Sequence, residues 1–296
     1  MPSSPGAASP EGLAPTRFVS VEGVNIAVYE SEGRGGPGVL LIHGNTSSAR
    51  IFESVFASPF ARHYHVAALD LPGYGHSGNA PAYSFERFTS AIAQVAHATG
   101  THEGVLAGWS LGGNLAFQTR AKLPGLRGLF VFGITPVGDD PALPPPFLGP
   151  GSSHAGEAVG YGLHPELTGP QIEAYVRGFF RPGYTDIPRF VYEAARRTDP
   201  GTRAAIRAAA TGQDPSFSDE VRLARGLDIP LAIVLGDTDA LINPAHALAL
   251  APSLPTLWRG AVQFIPGSGH ALPWEHPQPF TALLGAFLED LPPARG

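Results

Sequence analysis

From Arg17 to Ser31 apolar and polar positions alternate on either side of Gly23, with Phe18, Val19 and Val21 before it and Val24, Ile26 and Val28 after it. That pattern predicts a β-hairpin. The chain then changes character. Short unbroken apolar runs recur at Val39–Ile42, Val66–Leu69, Val105–Ala107, Leu129–Ile134, Leu231–Leu235 and Ala261–Ile265. Runs of this length predict strands buried on both faces. Several of the intervals between them carry apolar residues at helical spacing. Phe85–Thr99 is one, behind Ser84, whose hydroxyl suits a helix N-cap; Leu111–Leu123 and Phe280–Leu288 are two more. Strands alternating with helices predict βαβ units, a mostly parallel central sheet and helices on both of its faces.

The alternation fails once. Between about Val137 and Glu220 no good strand pattern occurs, and the interval opens on Pro141, Pro144, Pro145 and Pro146. Helical candidates follow at Ile172–Phe180, Phe190–Arg197 and Arg203–Ala210. The reading is an α/β core domain, residues 17–136 and 221–296, with a helical cap, residues 137–220, inserted into it. The first 16 residues are mostly Pro, Ser, Gly and Ala with no apolar run, which predicts a disordered tail and not a signal peptide.

Composition narrows the function classes. At 296 residues, 43% of them hydrophobic, the chain can bury one large core. A net charge of -6 argues against nucleic acid or an anionic membrane surface as partner. The lack of cysteine excludes disulfides and thiolate metal sites. No stretch approaches the length of a membrane span. A cytoplasmic protein acting on a small molecule is the default expectation, with no cofactor.

The sharpest chemical signal is Gly108-Trp109-Ser110-Leu111-Gly112, a G-x-S-x-G pattern. In a chain with 37 glycines it could arise by chance, or as a glycine-rich turn with an incidental serine. Its placement argues otherwise, because Ser110 falls between the end of a predicted strand and the start of a predicted helix. A serine hydroxyl is a weak nucleophile that needs a base, and the base needs an acid to orient it. In the nucleophile-elbow architecture these follow later in the chain, each after a strand. The run Leu231–Leu235 leads into Gly236-Asp237-Thr238-Asp239, and Ala261–Ile265 leads into Pro266-Gly267-Ser268-Gly269-His270. His270 is the one histidine of 11 placed in this way. Asp239 is favoured as its partner, with Asp237 left to bond backbone N–H groups of the loop. Oxyanion donors are expected at the Leu111 N–H and, after Val39–Ile42, at the Asn45 N–H in His43-Gly44-Asn45. His43 is expected to brace that loop.

These elements in this order resemble the α/β-hydrolase superfamily from about Val19 to Leu288, supported by DLPGYGHSG (Asp70–Gly78) and GSGHALPWEHPQPF (Gly267–Phe280). The resemblance implies the α/β-hydrolase fold and acyl transfer to Ser110. A serine at the elbow excludes the haloalkane dehalogenase and epoxide hydrolase chemistries of the fold, which need aspartate there. Several segments are similar to the metal-independent N-acyl-homoserine lactonases: HGNTSSARIF (His43–Phe52), GWSLGGN (Gly108–Asn114), LRGLFVFGITPV (Leu126–Val137) and IEAYVRGFF (Ile172–Phe180). That likeness implies a lactone-opening enzyme in which Tyr175 hydrogen-bonds the substrate. Helical spacing also permits Tyr175 merely to pack with Ile172, Val176, Phe179 and Phe180. Trp109 has the same two readings, while Phe147, Phe179 and Phe180 are candidates for an apolar wall along the acyl chain. Two departures stand out: the subgroup can carry glutamate where this chain has Asp239, and Pro141–Pro150 has no counterpart. The zinc lactonase pattern H-x-H-x-D-H is begun by His63-Tyr64-His65 but not completed, so no metal is expected. Alternatives are a carboxylesterase on small esters, a meta-cleavage C–C hydrolase and a non-catalytic binder.

Overall fold

The computed structural model describes residues 12–293. Its sheet begins with the expected hairpin, β1 (Arg17–Val21) paired antiparallel with β2 (Val24–Glu30). The turn residues Glu22 and Gly23 both have positive φ, which matches the twist of a two-residue hairpin. Six further strands follow: β3 (Gly35–Ile42), β4 (Tyr64–Leu69), β5 (Val105–Trp109), β6 (Gly128–Phe132), β7 (Leu231–Gly236) and β8 (Gln263–Ile265). Their order across the sheet is β1-β2-β4-β3-β5-β6-β7-β8. β2 meets β4 antiparallel, and every pair from β4 to β8 is parallel. This is the α/β-hydrolase fold. The unbroken apolar runs have their physical cause here, since every residue of β5, β6 and β7 is buried.

Strand order also locates the crevice. The chain leaves β3 to form β4 on one side and returns to form β5 on the other. Loops at the carboxyl ends of β3 and β5 therefore diverge, and ligands of open α/β sheets bind where that happens.

Element edges differ from expectation for local reasons. β6 stops at Phe132 because Gly133, at φ 58°, turns the chain before Ile134. β8 starts at Gln263 and not Ala261, since its pairing with β7 covers only Gln263–Ile265. The helix Leu111–Thr119 tightens to a 3-10 turn at Arg120–Lys122. Residues 1–11 of the expected disordered tail lie outside the described residues. Within 12–16 the expectation is corrected: the Leu13 N–H donates to Glu53 and the Thr16 N–H to the Val28 carbonyl, one residue off the hairpin register, which pairs Arg17 with Val28.

Between β6 and β7 the chain forms a 3-10 segment, Gly156–Leu163, and the helices Gly169–Arg177, Arg189–Arg197 and Pro200–Ala210. Thr168 and Gln171 close a reciprocal capping box before Pro170 in the first turn, and Asp199 caps the last of these helices. The proline-rich strap ahead of them is stitched to the loop after β7. Leu148 N–H donates to the Leu241 carbonyl, and Asn243 N–H donates to that of Pro146, each at 2.9 Å. Among the described residues no helix is long and apolar enough to cross a membrane.

Candidate active site

Ser110 sits between β5 and the helix Leu111–Thr119 with φ 52° and ψ -120°. A side chain rarely adopts that conformation, and its strain persists only where the surroundings enforce it. Here two glycines let the backbone crowd close. A Cβ on Gly108 would lie 2.2 Å from the Gly112 carbonyl oxygen, and one on Gly112 would lie 2.2 Å from that of Ile42. Both positions therefore admit only glycine, and the serine is lifted onto the carboxyl edge of the sheet.

The loops after β7 and β8 bring the two other groups together. His270, 2% exposed, shares a 2.8 Å hydrogen bond from Nδ1 to Asp239 Oδ2. The second Asp239 oxygen accepts the N–H groups of Leu241 and Ile242, so the carboxylate cannot swing away. Asp237 does what its turn position foretold and accepts the Gly267 N–H at 2.6 Å. The Trp109 indole N–H donates to the His270 carbonyl at 2.7 Å, fixing the histidine backbone from β5.

The loop after β3 is built on buried polar groups. His43 is fully buried, and its Nε2 accepts the Leu71 N–H while Nδ1 donates to the Gly44 carbonyl. Burial lowers its pKa, consistent with a neutral brace. Asp70, also fully buried, accepts from the Tyr29 hydroxyl and from the N–H groups of Ala49 and His76. Burial alone would raise its pKa, but the His76 side chain and the N–H groups of His76 and Ala49 outweigh it and hold the carboxyl below its usual value. Asn45 is saturated: its Oδ1 accepts from Tyr74 and Thr46, and its Nδ2 donates to the Gly162 carbonyl at 2.8 Å. The Tyr175 hydroxyl lies close to this side chain, which acts on its pKa in the direction opposite to burial. With both Oδ1 lone pairs engaged by Tyr74 and Thr46, the Tyr175 proton stays available for another acceptor. Burial pushes the Tyr175 pKa up to about 12, so the hydroxyl is protonated at any ordinary pH.

A cavity of about 630 Å³ joins these parts, within the range typical of small-molecule sites. Ser110, Leu111, Asn45, Tyr175 and His270 all line it, and most of the remaining wall is apolar: Ile134, Val137, Leu163, Leu241 and Ile242. Phe147, expected there, does line it, although it is 40% exposed at the rim. Three expectations are corrected. Trp109, Phe179 and Phe180 do not line the cavity. Phe179 is spent on Trp109, Tyr175 and the His270 ring, and Phe180 stacks on Tyr184. They support the site from behind.

Three buried charged groups were missed by sequence reasoning. Glu220 accepts from Asn114, Gln118 and the Val137 N–H, and burial pushes its pKa up to about 7. Glu275 accepts from the Gly269 N–H beside His270 and from both backbone and side chain of Arg181. Arg203, on the helix Pro200–Ala210, is 3% exposed. Each bonds partners distant in the chain, which no local pattern reveals; the one faint signal is a charge beside small residues, as in TRAAIRAAA. Likewise Phe85 and Phe217, which form an edge-on ring pair in the cavity wall, carry no sequence mark of that role.

Comparison with known proteins agrees with this architecture. A solved structure of a serine-to-glycine mutant of the N-acyl homoserine lactonase AidH, complexed with N-hexanoyl homoserine lactone, is similar, with TM-score 0.83 and 27% identity over 93% of this chain and 97% of that one. A pimeloyl-[acyl-carrier protein] methyl ester esterase of Xylella fastidiosa is 35% identical, but the match covers 34% of this chain and only 38% of that esterase. One of the same description from Sodalis glossinidius is 26% identical over 88% of this chain and 96% of its own length. The alpha/beta hydrolase family model matches residues 39–283, from within β3 into the last helix, Pro277–Glu289, and the chain therefore belongs to the alpha/beta hydrolase family.

Proposed function

We propose that the chain is a serine hydrolase that opens the lactone ring of N-acyl-homoserine lactones without a metal. The observation that carries this reading is the extent of the likeness to the lactonase. Coverage of 93% of the chain is too high for residues 137–220 to lie outside it, and those residues deliver Tyr175 to the cavity of Ser110.

In this mechanism Ser110 Oγ attacks the lactone carbonyl while His270 Nε2 takes its proton, and Asp239 stabilises the imidazolium through Nδ1–H. The N–H groups of Leu111 and Asn45 receive the oxyanion, with the Tyr175 hydroxyl donating to the substrate. Collapse breaks the ring C–O bond, and His270 returns its proton to the departing oxygen. The product stays bound as an ester of Ser110 whose homoserine hydroxyl is now free. Water then attacks that ester, giving its proton to His270 and on to Ser110 Oγ, and N-acyl-homoserine leaves. The acyl chain lies against Ile134, Val137, Phe147 and Leu163.

A carboxylesterase acting on small esters is the second reading, favoured by the names of the sequence relatives. Tyr175→Phe separates the two. Under the lactonase reading its kcat/KM falls about 10-fold on N-hexanoyl-homoserine lactone, the worth of one hydrogen bond of about 1.4 kcal/mol, and falls less on p-nitrophenyl butyrate. Equal or absent effects return Tyr175 to packing and favour the esterase.

A further inference from the structure

We propose that Arg203 is a positioning residue for the oxyanion loop, acting through the carbonyls of His164 and Pro165 on the segment that holds Asn45 and Tyr175. The proposal rests on the reading of Ser110 as nucleophile with Asn45 at the oxyanion.

The guanidinium is nearly inaccessible, at 3% exposure, yet it donates only to main-chain carbonyls. Nε reaches the His164 oxygen at 2.8 Å and the Pro165 oxygen at 3.2 Å, and Nη2 reaches Pro165 at 2.8 Å. Nη1 is buried with no partner among the described residues. Burying a cation against neutral carbonyls is costly, and an apolar side chain would fill the same space more cheaply. A cation kept there does something packing alone would not.

What it does follows from the next residues along. His164 and Pro165 directly follow the 3-10 segment Gly156–Leu163, whose Gly162 carbonyl accepts the Asn45 Nδ2–H at 2.8 Å. Gly162 also lies flat against the Tyr175 hydroxyl, since a Cβ there would come within 2.6 Å of it. Two rigid donors of Arg203 therefore fix the segment on which both Asn45 and Tyr175 are set. A planar fork does this better than a single ammonium, because it constrains two carbonyls at once. The positive charge also faces the Tyr74 and Tyr175 hydroxyls, favouring negative charge that develops on that side of the cavity. Arg203 itself touches no substrate in this arrangement, so it is a positioning and not a catalytic residue.

The test uses the full chain, p-nitrophenyl butyrate turnover and titration of the reactive serine with a fluorophosphonate. Arg203→Met should lower kcat about 10- to 100-fold per titrated serine, with KM within about threefold, as for a small misplacement remote from the chemistry. Arg203→Lys should recover part of the loss and serves as the reporter if the Met variant does not fold. In an Asn45→Ala background the effect of changing Arg203 should largely vanish, because both act through one element. An unchanged kcat, a loss confined to KM, or full additivity with Asn45→Ala overturns the role of Arg203. If the wild-type chain is not labelled at Ser110, the reading of the nucleophile fails, and the inference falls with it.

Discussion

The two walls of the cavity are held by different means. On the sheet side Ser110, Asp239 and His270 stand at the ends of β5, β7 and β8, and wholly buried strands and glycine turns fix their places. Their supporting bonds are largely to backbone, such as the Leu241 and Ile242 N–H groups on Asp239. On the opposite side, buried polar side chains join the inserted segment to the core, beside the backbone bonds that the proline-rich strap makes to Leu241 and Asn243. Glu220 gathers Asn114, Gln118 and Val137; Glu275 ties Arg181 to Gly269; His246 lies between the Pro144 and Pro136 carbonyls. Reactive geometry thus rests where apolar burial and chain direction dictate it. The seam rests on buried polar groups, one of which, Glu220, has its pKa pushed up to about 7 by burial.

That contrast predicts different failures on the two sides. Asp239→Asn attacks the sheet side and should cost about 10⁴-fold in kcat on p-nitrophenyl butyrate, because the amide no longer holds the imidazole in its working tautomer. Its thermal midpoint should stay close to wild type. Glu220→Gln attacks the seam and should show the reverse. In the folded chain the Glu220 carboxyl holds its proton up to about 7, against an ordinary value of 4.5. The folded state therefore binds a proton that the unfolded state releases, and this stability is present in full below the unfolded pKa. It is lost as pH rises through about 7, a change of about 3 kcal/mol at most for a shift of this size. Urea midpoints across that range should fall with pH more steeply in the wild type than in Glu220→Gln, while kcat changes by less than about 10-fold. Parallel slopes in the two chains would remove Glu220 from the seam's titration.

Sequence patterns carried the sheet side well, and for the same reason. Runs buried on both faces mark strands directly, and the residues just past their carboxyl ends are the ones an open sheet exposes to ligand. Ser110, Asp239 and His270 could be placed together on that basis, and the helix Phe85–Thr99 follows its Ser84 cap as expected. The other wall was legible only as helices. Periodicity shows that Phe179 and Phe180 are buried, but not whether they face a cavity or the back of His270. Glu220 joins Asn114, 106 positions earlier, and Arg203 reaches His164, 39 positions earlier. Polar contacts of that span leave no local trace. The strap at Pro141–Pro150 looked only like a break in pattern, because its pairing with Leu241 and Asn243 lies across a long insertion.

The most direct measurement is mass spectrometry of N-hexanoyl-homoserine lactone incubated with the purified chain and, in parallel, with Ser110→Ala. The expected result is conversion to a product heavier by one water with the wild type, and no conversion above the buffer control with Ser110→Ala. Conversion that survives the loss of Ser110, or a wild type that hydrolyses p-nitrophenyl esters and leaves the lactone intact, would contradict the lactonase reading.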